Sequence, residues 1–158
     1  AVVRKQERGL LSIVQGADGK SGMALTCKNR PVNNPLIKND TALDHTRMDG
    51  REVFAFAVRQ VPLNVEEALG KAGLAIGDVD LFVLHQANRR IIEGVAKRLG
   101  VSLSLFPMNL ERVGNTSSAA IPLLLDELNR EGRLRRGMRL VLSGFGAGLT
   151  CGACVMEW

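Results

Sequence analysis

Apolar residues run almost unbroken from residue 79 to residue 84, which predicts a short strand buried on both faces. His85 ends this run, and a helical apolar period then covers residues 89–99, with Gly100 as its stop signal. Because open α/β sheets bind ligands at the carboxyl ends of their strands, His85 is a candidate site residue. The alternative is a histidine that only closes the strand by hydrogen bonding.

The same two patterns alternate along the rest of the chain. The other predicted elements are a strand at 9–15, an irregular loop at 26–50, a helix at 51–72, an extended piece at 103–109, a helix at about 117–131 and two strands at 138–143 and 149–156. Pro62 lies inside the helix predicted at 51–72, so we expect a kink there or two helices that meet at this residue. The order β, α, β, α, α, β, β predicts an α/β domain with helices packed on a mixed sheet.

Composition narrows the class of protein. At 158 residues, with 46% hydrophobic and 23% charged residues, the chain is expected to form one globular domain. No apolar run reaches the roughly 20 residues of a membrane span, and the charged N-terminal stretch is unlike a signal peptide, so we expect a cytoplasmic protein. A net charge of +5 predicts acidic partners. Few aromatic residues and no nucleic-acid motif argue against nucleic acid.

The three cysteines suit a reducing compartment better than a disulfide scaffold. Cys151 and Cys154 have the C-x-x-C spacing, but they lie in a predicted strand, where residues three apart point to opposite faces. They can therefore neither form a disulfide nor share a metal without breaking the strand. No carboxylate cluster suggests a metal either, so no metal cofactor is expected.

Three motifs stand in order along the chain: His85-Gln86-Ala87-Asn88 after a strand, Gly114-Asn115-Thr116-Ser117 before a helix, and Gly144-Phe145-Gly146-Ala147-Gly148 between the last two strands. Together with a fourth segment at residues 48–54 that leads into a helix, they resemble the C-terminal half of β-ketoacyl-acyl carrier protein synthase III, in the thiolase-like superfamily. Three motifs in order are much more specific than any one glycine pattern, and the resemblance covers nearly the whole chain.

The resemblance implies a thiolase-like half-domain. Members of this family have two pseudo-symmetric halves that form one layered αβαβα core, usually in a homodimer. Residues 1–158 correspond to the C-terminal half, and the N-terminal half, which carries the catalytic cysteine, is absent from this sequence. Cys27, Cys151 and Cys154 match no nucleophile position, so the expected partner is the cysteine-bearing half.

The resemblance also implies a reaction. An acyl group from acyl-CoA is loaded onto the cysteine, and malonyl-acyl carrier protein is then decarboxylated to give the attacking carbanion. His85 and Asn115 are implied to donate hydrogen bonds to the resulting enolate, and Phe145 to lie against the cysteine and the malonyl carboxylate. Ala147 replaces a glycine of some relatives, and its backbone N–H is implied to bind the acyl oxyanion. Coenzyme A and phosphopantetheine thioesters are substrates, and no cofactor is expected.

Further residues are implied to contact the carrier. Asn88 would hydrogen-bond the pantetheine arm, and Gly50 and Phe54 would line its channel. The alternatives for these three are a helix N-cap, a turn and a core residue, respectively. A second set lies on the outer side of the helix predicted at 89–99 and would receive the acidic acyl carrier protein: Arg90, Lys97 and Arg98. Gly94 would leave room between these three residues. The alternative there is a solvated helix face.

Three hypotheses for function remain. The first is half of an enzyme that condenses an acyl group with a malonyl unit. The second is a relative that transfers acyl groups without decarboxylation, against which the presence of His85 and Asn115 argues. The third is a non-catalytic subunit that shapes or docks a cysteine-bearing partner. Because a scaffold would not need all three motifs, their presence favours catalysis.

Overall fold

The computed structural model describes residues 8–27 and 45–158. Its strands and helices, in chain order, are β1 (Leu10–Ala17), β2 (Leu25–Thr26), β3 (Arg47–Met48), α1 (Gly50–Ala72), β4 (Leu81–Leu84), α2 (Arg89–Leu99), α3 (Leu110–Val113), α4 (Ala120–Arg130), β5 (Arg139–Gly146) and β6 (Thr150–Glu157). Short 3₁₀ turns connect them at Gly19–Ala24, Ile76–Asp78, Leu103–Leu105 and Ser117–Ala119. Apart from the small pieces β2, β3 and α3, this is the predicted order of elements.

The main sheet is mixed, as predicted. Its strand order is β1-β6-β5-β4, in which β4 and β5 are parallel and the other two pairs are antiparallel. The parallel pair ends with Leu84 opposite Ser143. The backbone N–H of His85 then donates to the Ser143 carbonyl at 2.8 Å, so His85 sits directly at the carboxyl end of this pair.

Helices cover both faces of the sheet, which gives three layers. On one face α1 and α2 pack against the sheet through a core that contains Val65, Phe82 and Ile92. On the other face α4 packs against β4 and β5 through Val83 and Leu124. All four residues of β4 are buried, which confirms the prediction of a strand with two covered faces.

The helix α1 continues through Pro62 as a single element of 23 residues, so the alternative of two helices is wrong. Proline removes one helical hydrogen bond, but Val61 and Val65 on either side of it are buried against the sheet and keep the helix in place. The Asp49 carboxylate accepts from the backbone N–H groups of Arg51 at 2.9 Å and Glu52 at 3.0 Å, which begins the helix at Gly50.

Other boundaries also differ from the predictions. The piece at 103–109 begins as a 3₁₀ turn, not as an extended segment, because the Ser102 side chain accepts from the Ser104 N–H. The helix predicted from residue 117 starts with a 3₁₀ turn and becomes α-helical at Ala120. Strand β5 extends to Gly146, so only residues 147–149 form the turn. Most of the predicted 26–50 loop lies outside the described residues, and β2 pairs with β3 at its two ends.

Candidate functional site

A cavity of about 820 Å³ lies beside the carboxyl ends of β4 and β5. His85 follows β4, and Phe145 lies near the end of β5. Ser117 and Ser118 from the turn that precedes α4 also line the cavity, and so does Cys151 of β6. The fold therefore brings residues of all three predicted motifs to one cavity, with Ser117 representing the motif that contains Asn115.

His85 and Phe145 are in ring contact at this cavity. Their centroids are 5.5 Å apart and the ring planes meet at 73°, an edge-on arrangement. Burial lowers the pKa of His85 from its usual value of 6.5, because the charged imidazolium is poorly solvated there. At neutral pH the ring is therefore uncharged, with one nitrogen as a donor and the other as an acceptor.

Asn115 lies in the loop between α3 and the turn at Ser117–Ala119. Its Oδ1 atom accepts from the Ser117 N–H at 3.0 Å, while its Nδ2 group makes no hydrogen bond to the residues that the structure describes. Ser117 has a φ of 55°, an unusual backbone conformation for a residue with a side chain. The structure thus places Asn115 two residues from the cavity wall, on a sharply turned loop, with its amide donor unused.

Ala147 occupies the turn between β5 and β6, where its carbonyl accepts from the Thr150 hydroxyl at 3.0 Å. Gly146 and Thr150 on either side of the turn line the cavity. Ala147 itself is exposed and is not among the lining residues, so the structure brings it to the rim.

A second group of predicted residues gathers at the N-terminal ends of α1 and α2. The Asn88 side chain accepts from the Arg90 N–H at 2.8 Å, which confirms that Asn88 is the N-cap of α2. Phe54 is half-buried and packs against the main core, which confirms its core role. The Arg90 guanidinium lies 6.0 Å from the centre of the Phe54 ring and joins the two helix ends. Gly50 is the first residue of α1, and a Cβ atom there would meet open space.

The charged residues predicted for docking lie along α2, and Arg90, Lys97 and Arg98 are all exposed. Lys97 and Arg98 occupy the last turn, where positive charge also stabilises the helix dipole. The expectation that Gly94 leaves room between the charges is wrong. A Cβ atom on Gly94 would lie 3.0 Å from a methyl group of Val58, so this glycine allows α2 to approach α1.

Cys151 and Cys154 are unpaired thiols on β6, as predicted. The Asn64 Nδ2 group donates to Cys151 Sγ at 3.0 Å. Burial nevertheless raises the pKa of both thiols above the usual 9.0. Neither is therefore activated as a thiolate nucleophile at neutral pH.

Sequence reasoning missed a connected group of polar residues that begins at Gln86, the residue after His85. Gln86, which is fully buried, donates from Nε2 to the Leu84 carbonyl at 2.9 Å and accepts at Oε1 from the Asn109 N–H at 3.2 Å. Its Nε2 also contacts the Pro107 carbonyl at 3.5 Å. Glu127 accepts from the Asn109 side chain at 2.8 Å. The only signal in the sequence was an amide placed next to His85, just beyond a buried apolar run.

Within residues 8–27 and 45–158, no group of three or more histidine, cysteine, aspartate or glutamate side chains could hold a metal ion. No helix in the same part of the chain is both long and apolar enough to cross a membrane.

Comparison with known proteins gives consistent matches. The family described as 3-oxoacyl-[acyl-carrier-protein (ACP)] synthase III C terminal matches residues 69–158. β-Ketoacyl-[acyl-carrier-protein] synthase III of Clostridium novyi is 46% identical over 158 residues, which cover 99% of this chain and 49% of that protein. The Clostridium acetobutylicum protein of the same name is 44% identical, with 96% and 47% covered. The chain thus spans about half the length of the curated relatives it matches.

Two solved structures show the same fold. β-Ketoacyl-[acyl carrier protein] synthase III of Thermus thermophilus superposes with a TM-score of 0.85 at 42% identity, over 98% of this chain and 47% of that one. The priming β-ketosynthase of the R1128 polyketide biosynthetic pathway gives a TM-score of 0.82 at 37% identity, over 94% and 45% of the two chains. The thiolase-like half-domain predicted from the motifs is confirmed.

Proposed function

Because this chain belongs to the 3-oxoacyl-[acyl-carrier-protein] synthase III family, whose C-terminal part it matches, we propose that it forms the C-terminal half of a condensing enzyme. The enzyme joins an acyl thioester to malonyl-acyl carrier protein with loss of CO₂ and forms a β-ketoacyl thioester. One observation carries the proposal: an uncharged His85 lies edge-on to Phe145 in a cavity at the carboxyl end of β4.

Decarboxylation of a malonyl thioester leaves negative charge on the thioester oxygen as an enolate. His85 supplies an N–H donor without carrying a charge of its own, and Asn115 supplies its unused Nδ2 group. The hydrogen bond from Ser117 to Asn115 Oδ1 fixes which end of the amide is available. Donors held in place before the charge develops are worth about 3–4 kcal/mol each.

Phe145 contributes in a different way. Its ring lines the cavity next to His85 and offers no hydrogen bond to a bound malonyl carboxylate. A carboxylate against an apolar ring is poorly solvated, whereas CO₂ is neutral, so this contact favours the loss of CO₂.

The nucleophile in this proposal belongs to the other half of the enzyme. Cys151 is the thiol that lines the cavity, but its raised pKa and its hydrogen bond from Asn64 make it a poor nucleophile. The acyl group is therefore carried by a cysteine outside this chain, and the Ala147 N–H at the cavity rim binds the acyl oxygen. We also propose the homodimer that the family resemblance implies.

The carrier-bound substrate enters along the N-terminal ends of α1 and α2. Asn88 uses Oδ1 for the N-cap, which leaves Nδ2 for the pantetheine arm, and Gly50 and Phe54 lie beside the same path. The exposed charges of α2, at Arg90, Lys97 and Arg98, receive the acidic carrier protein, and acyl-CoA supplies the first acyl group. We place the reaction in the cytoplasm, where thiols such as Cys151 and Cys154 stay reduced.

The central test replaces the two enolate donors in a full-length protein that carries these 158 residues. His85→Ala and Asn115→Ala should each reduce malonyl decarboxylation about 100-fold or more, as expected when one oxyanion donor is removed. Acyl loading of the cysteine should survive, because that step uses the Ala147 N–H. Asn129→Ala, at an exposed asparagine of α4, is the matched control and should change neither step.

Two outcomes would contradict the proposal. Equal losses of loading and decarboxylation in a folded His85→Ala protein would show that the role assigned to His85 is wrong. Normal acyl transfer with no decarboxylation in the unmodified protein would favour the acyltransferase that works without loss of CO₂.

A further inference from the structure

The loop that carries Asn115 is tied to the segment that carries His85. Gln86, the residue after His85, accepts from the Asn109 N–H at 3.2 Å, and Asn109 is the residue before α3. At the far end of α3, the Gly114 N–H donates to the Leu110 carbonyl at 2.8 Å, and Asn115 follows directly. The short helix α3 is therefore the chain segment that links the Asn109 anchor to Asn115.

Glu127 of α4 holds both ends of this short helix. Its Oε2 accepts from the Asn109 side chain at 2.8 Å, and its Oε1 pairs with the Arg112 guanidinium in the last turn of α3. A carboxylate with one oxygen on each end restrains rotation of α3 about its own axis. A rotation there would carry Gly114 and Asn115 with it.

The contact with Asn109 is not an ordinary surface pair. Asn109 is 3% exposed, and its Oδ1 atom is buried without a hydrogen-bond partner in the described part of the chain. The donor side of this amide is thus the bonded side, and the Glu127 carboxylate determines its orientation. The Glu127 side chain is 24% exposed, whereas that of its neighbour Asp126 is 54% exposed and pairs within α4 with Arg130.

We infer that Glu127 is a positioning residue, which sets the direction of the Asn115 amide through Asn109 and Arg112. The inference rests on the proposed role of Asn115 as an enolate donor. A displacement of about 1 Å at a reacting group can cost about 100-fold in rate. Loss of Glu127 should therefore slow decarboxylation, although its side chain does not line the cavity.

The test compares half-reactions in the full-length protein. Glu127→Ala should lower kcat for malonyl decarboxylation about 10- to 100-fold and leave acyl loading within about twofold. Glu127→Gln should recover most of the rate, because its amide oxygen still accepts from Asn109 while only the pair with the exposed Arg112 is weakened. Asp126→Ala is the matched control on the same helix and should have the wild-type rate.

A double-mutant cycle separates positioning from general destabilisation. If Glu127 acts through Asn115, adding Glu127→Ala to Asn115→Ala should lower the decarboxylation rate further by less than about threefold. The inference would be overturned if the loss in the double variant equalled the product of the two single losses, or if acyl loading fell equally. Either outcome would leave the proposed function intact. If Asn115→Ala alone leaves decarboxylation unchanged, the proposed donor role fails, and the inference fails with it.

Arg112→Gln keeps the test decisive even if Glu127→Ala does not fold, because Arg112 is exposed. This change removes one of the two contacts that hold α3. Decarboxylation should fall by about two- to fivefold, again without an additional loss in the Asn115→Ala background. The inference would be overturned if Arg112→Gln left the decarboxylation rate unchanged, or if its full effect were added to that of Asn115→Ala.

Discussion

Replacing Gln86 by methionine tests how the segment after His85 is held. Methionine has nearly the same length and fills the same space, but it cannot replace the amide of a side chain that is 0% exposed. The Leu84 carbonyl would lose a donor at 2.9 Å, and the Asn109 N–H would lose an acceptor at 3.2 Å. The contact with Pro107 at 3.5 Å is too long to add much.

The expected loss of stability follows from these two backbone groups. Each buried group left without a partner costs about 1–3 kcal/mol, and the newly buried apolar side chain recovers part of that sum. We therefore expect Gln86→Met to lower the free energy of unfolding by about 2–4 kcal/mol. Gln60→Met is the matched control, because Gln60 is half-buried and makes one hydrogen bond, to Asn64 at 3.1 Å. One buried acceptor, Asn64 Oδ1, loses its donor there instead of two buried groups, so the expected cost is about 1–2 kcal/mol.

Urea denaturation of the full-length proteins, followed by circular dichroism, would measure both losses. The midpoint should fall with little change in slope, because neither substitution alters how much surface unfolding exposes. A loss for Gln86→Met that is no larger than that for Gln60→Met would refute the argument. It would mean that the Gln86 amide is not what holds residues 107–109 beside the segment that follows β4.

Two further predictions concern pH and docking. Because burial lowers the pKa of His85, malonyl decarboxylation should persist as the pH falls through 6.5 and be lost only below that value, when the ring becomes charged. A pH–rate profile with its midpoint at or above 6.5 would contradict this prediction. Arg90→Glu combined with Lys97→Glu should raise KM for malonyl-acyl carrier protein, less so at high salt, but not KM for a small malonyl thioester. Arg136→Glu, at an exposed arginine outside α2, is the control. Equal losses with both substrates would show that α2 has only a structural role.

The parts of the fold that follow a strong local pattern could be predicted from the sequence. Strand β4 and helix α2 were predicted closely because their apolar spacing is unambiguous over the whole element. The single helix across Pro62 could not be predicted from the sequence, because burial of the neighbouring valines against the sheet outweighs the local effect of proline. The role of Gly94 was missed for the same reason, since its partner Val58 lies on another helix.

The candidate site divides in the same way. The positions of His85 and Phe145 at strand ends follow from the order of strands and from the motifs, and the structure brings these two residues together. The contact between Asn109 and Glu127 spans 18 residues and two helices, and no periodicity encodes it. Sequence patterns therefore identified residues that face the cavity, but not the buried polar side chains that hold them in place.

The close approach at Gly94 has a consequence for any attempt to alter substrate choice. A methyl group there would press on Val58, so α1 and α2 form one closely packed unit, and the Arg90–Phe54 contact joins them again near their first turns. The surface proposed to recognise the carrier protein and the wall proposed to guide its pantetheine arm are therefore built on the same unit. Redesign of one for a different carrier would have to keep this helix spacing, or it would change the other at the same time.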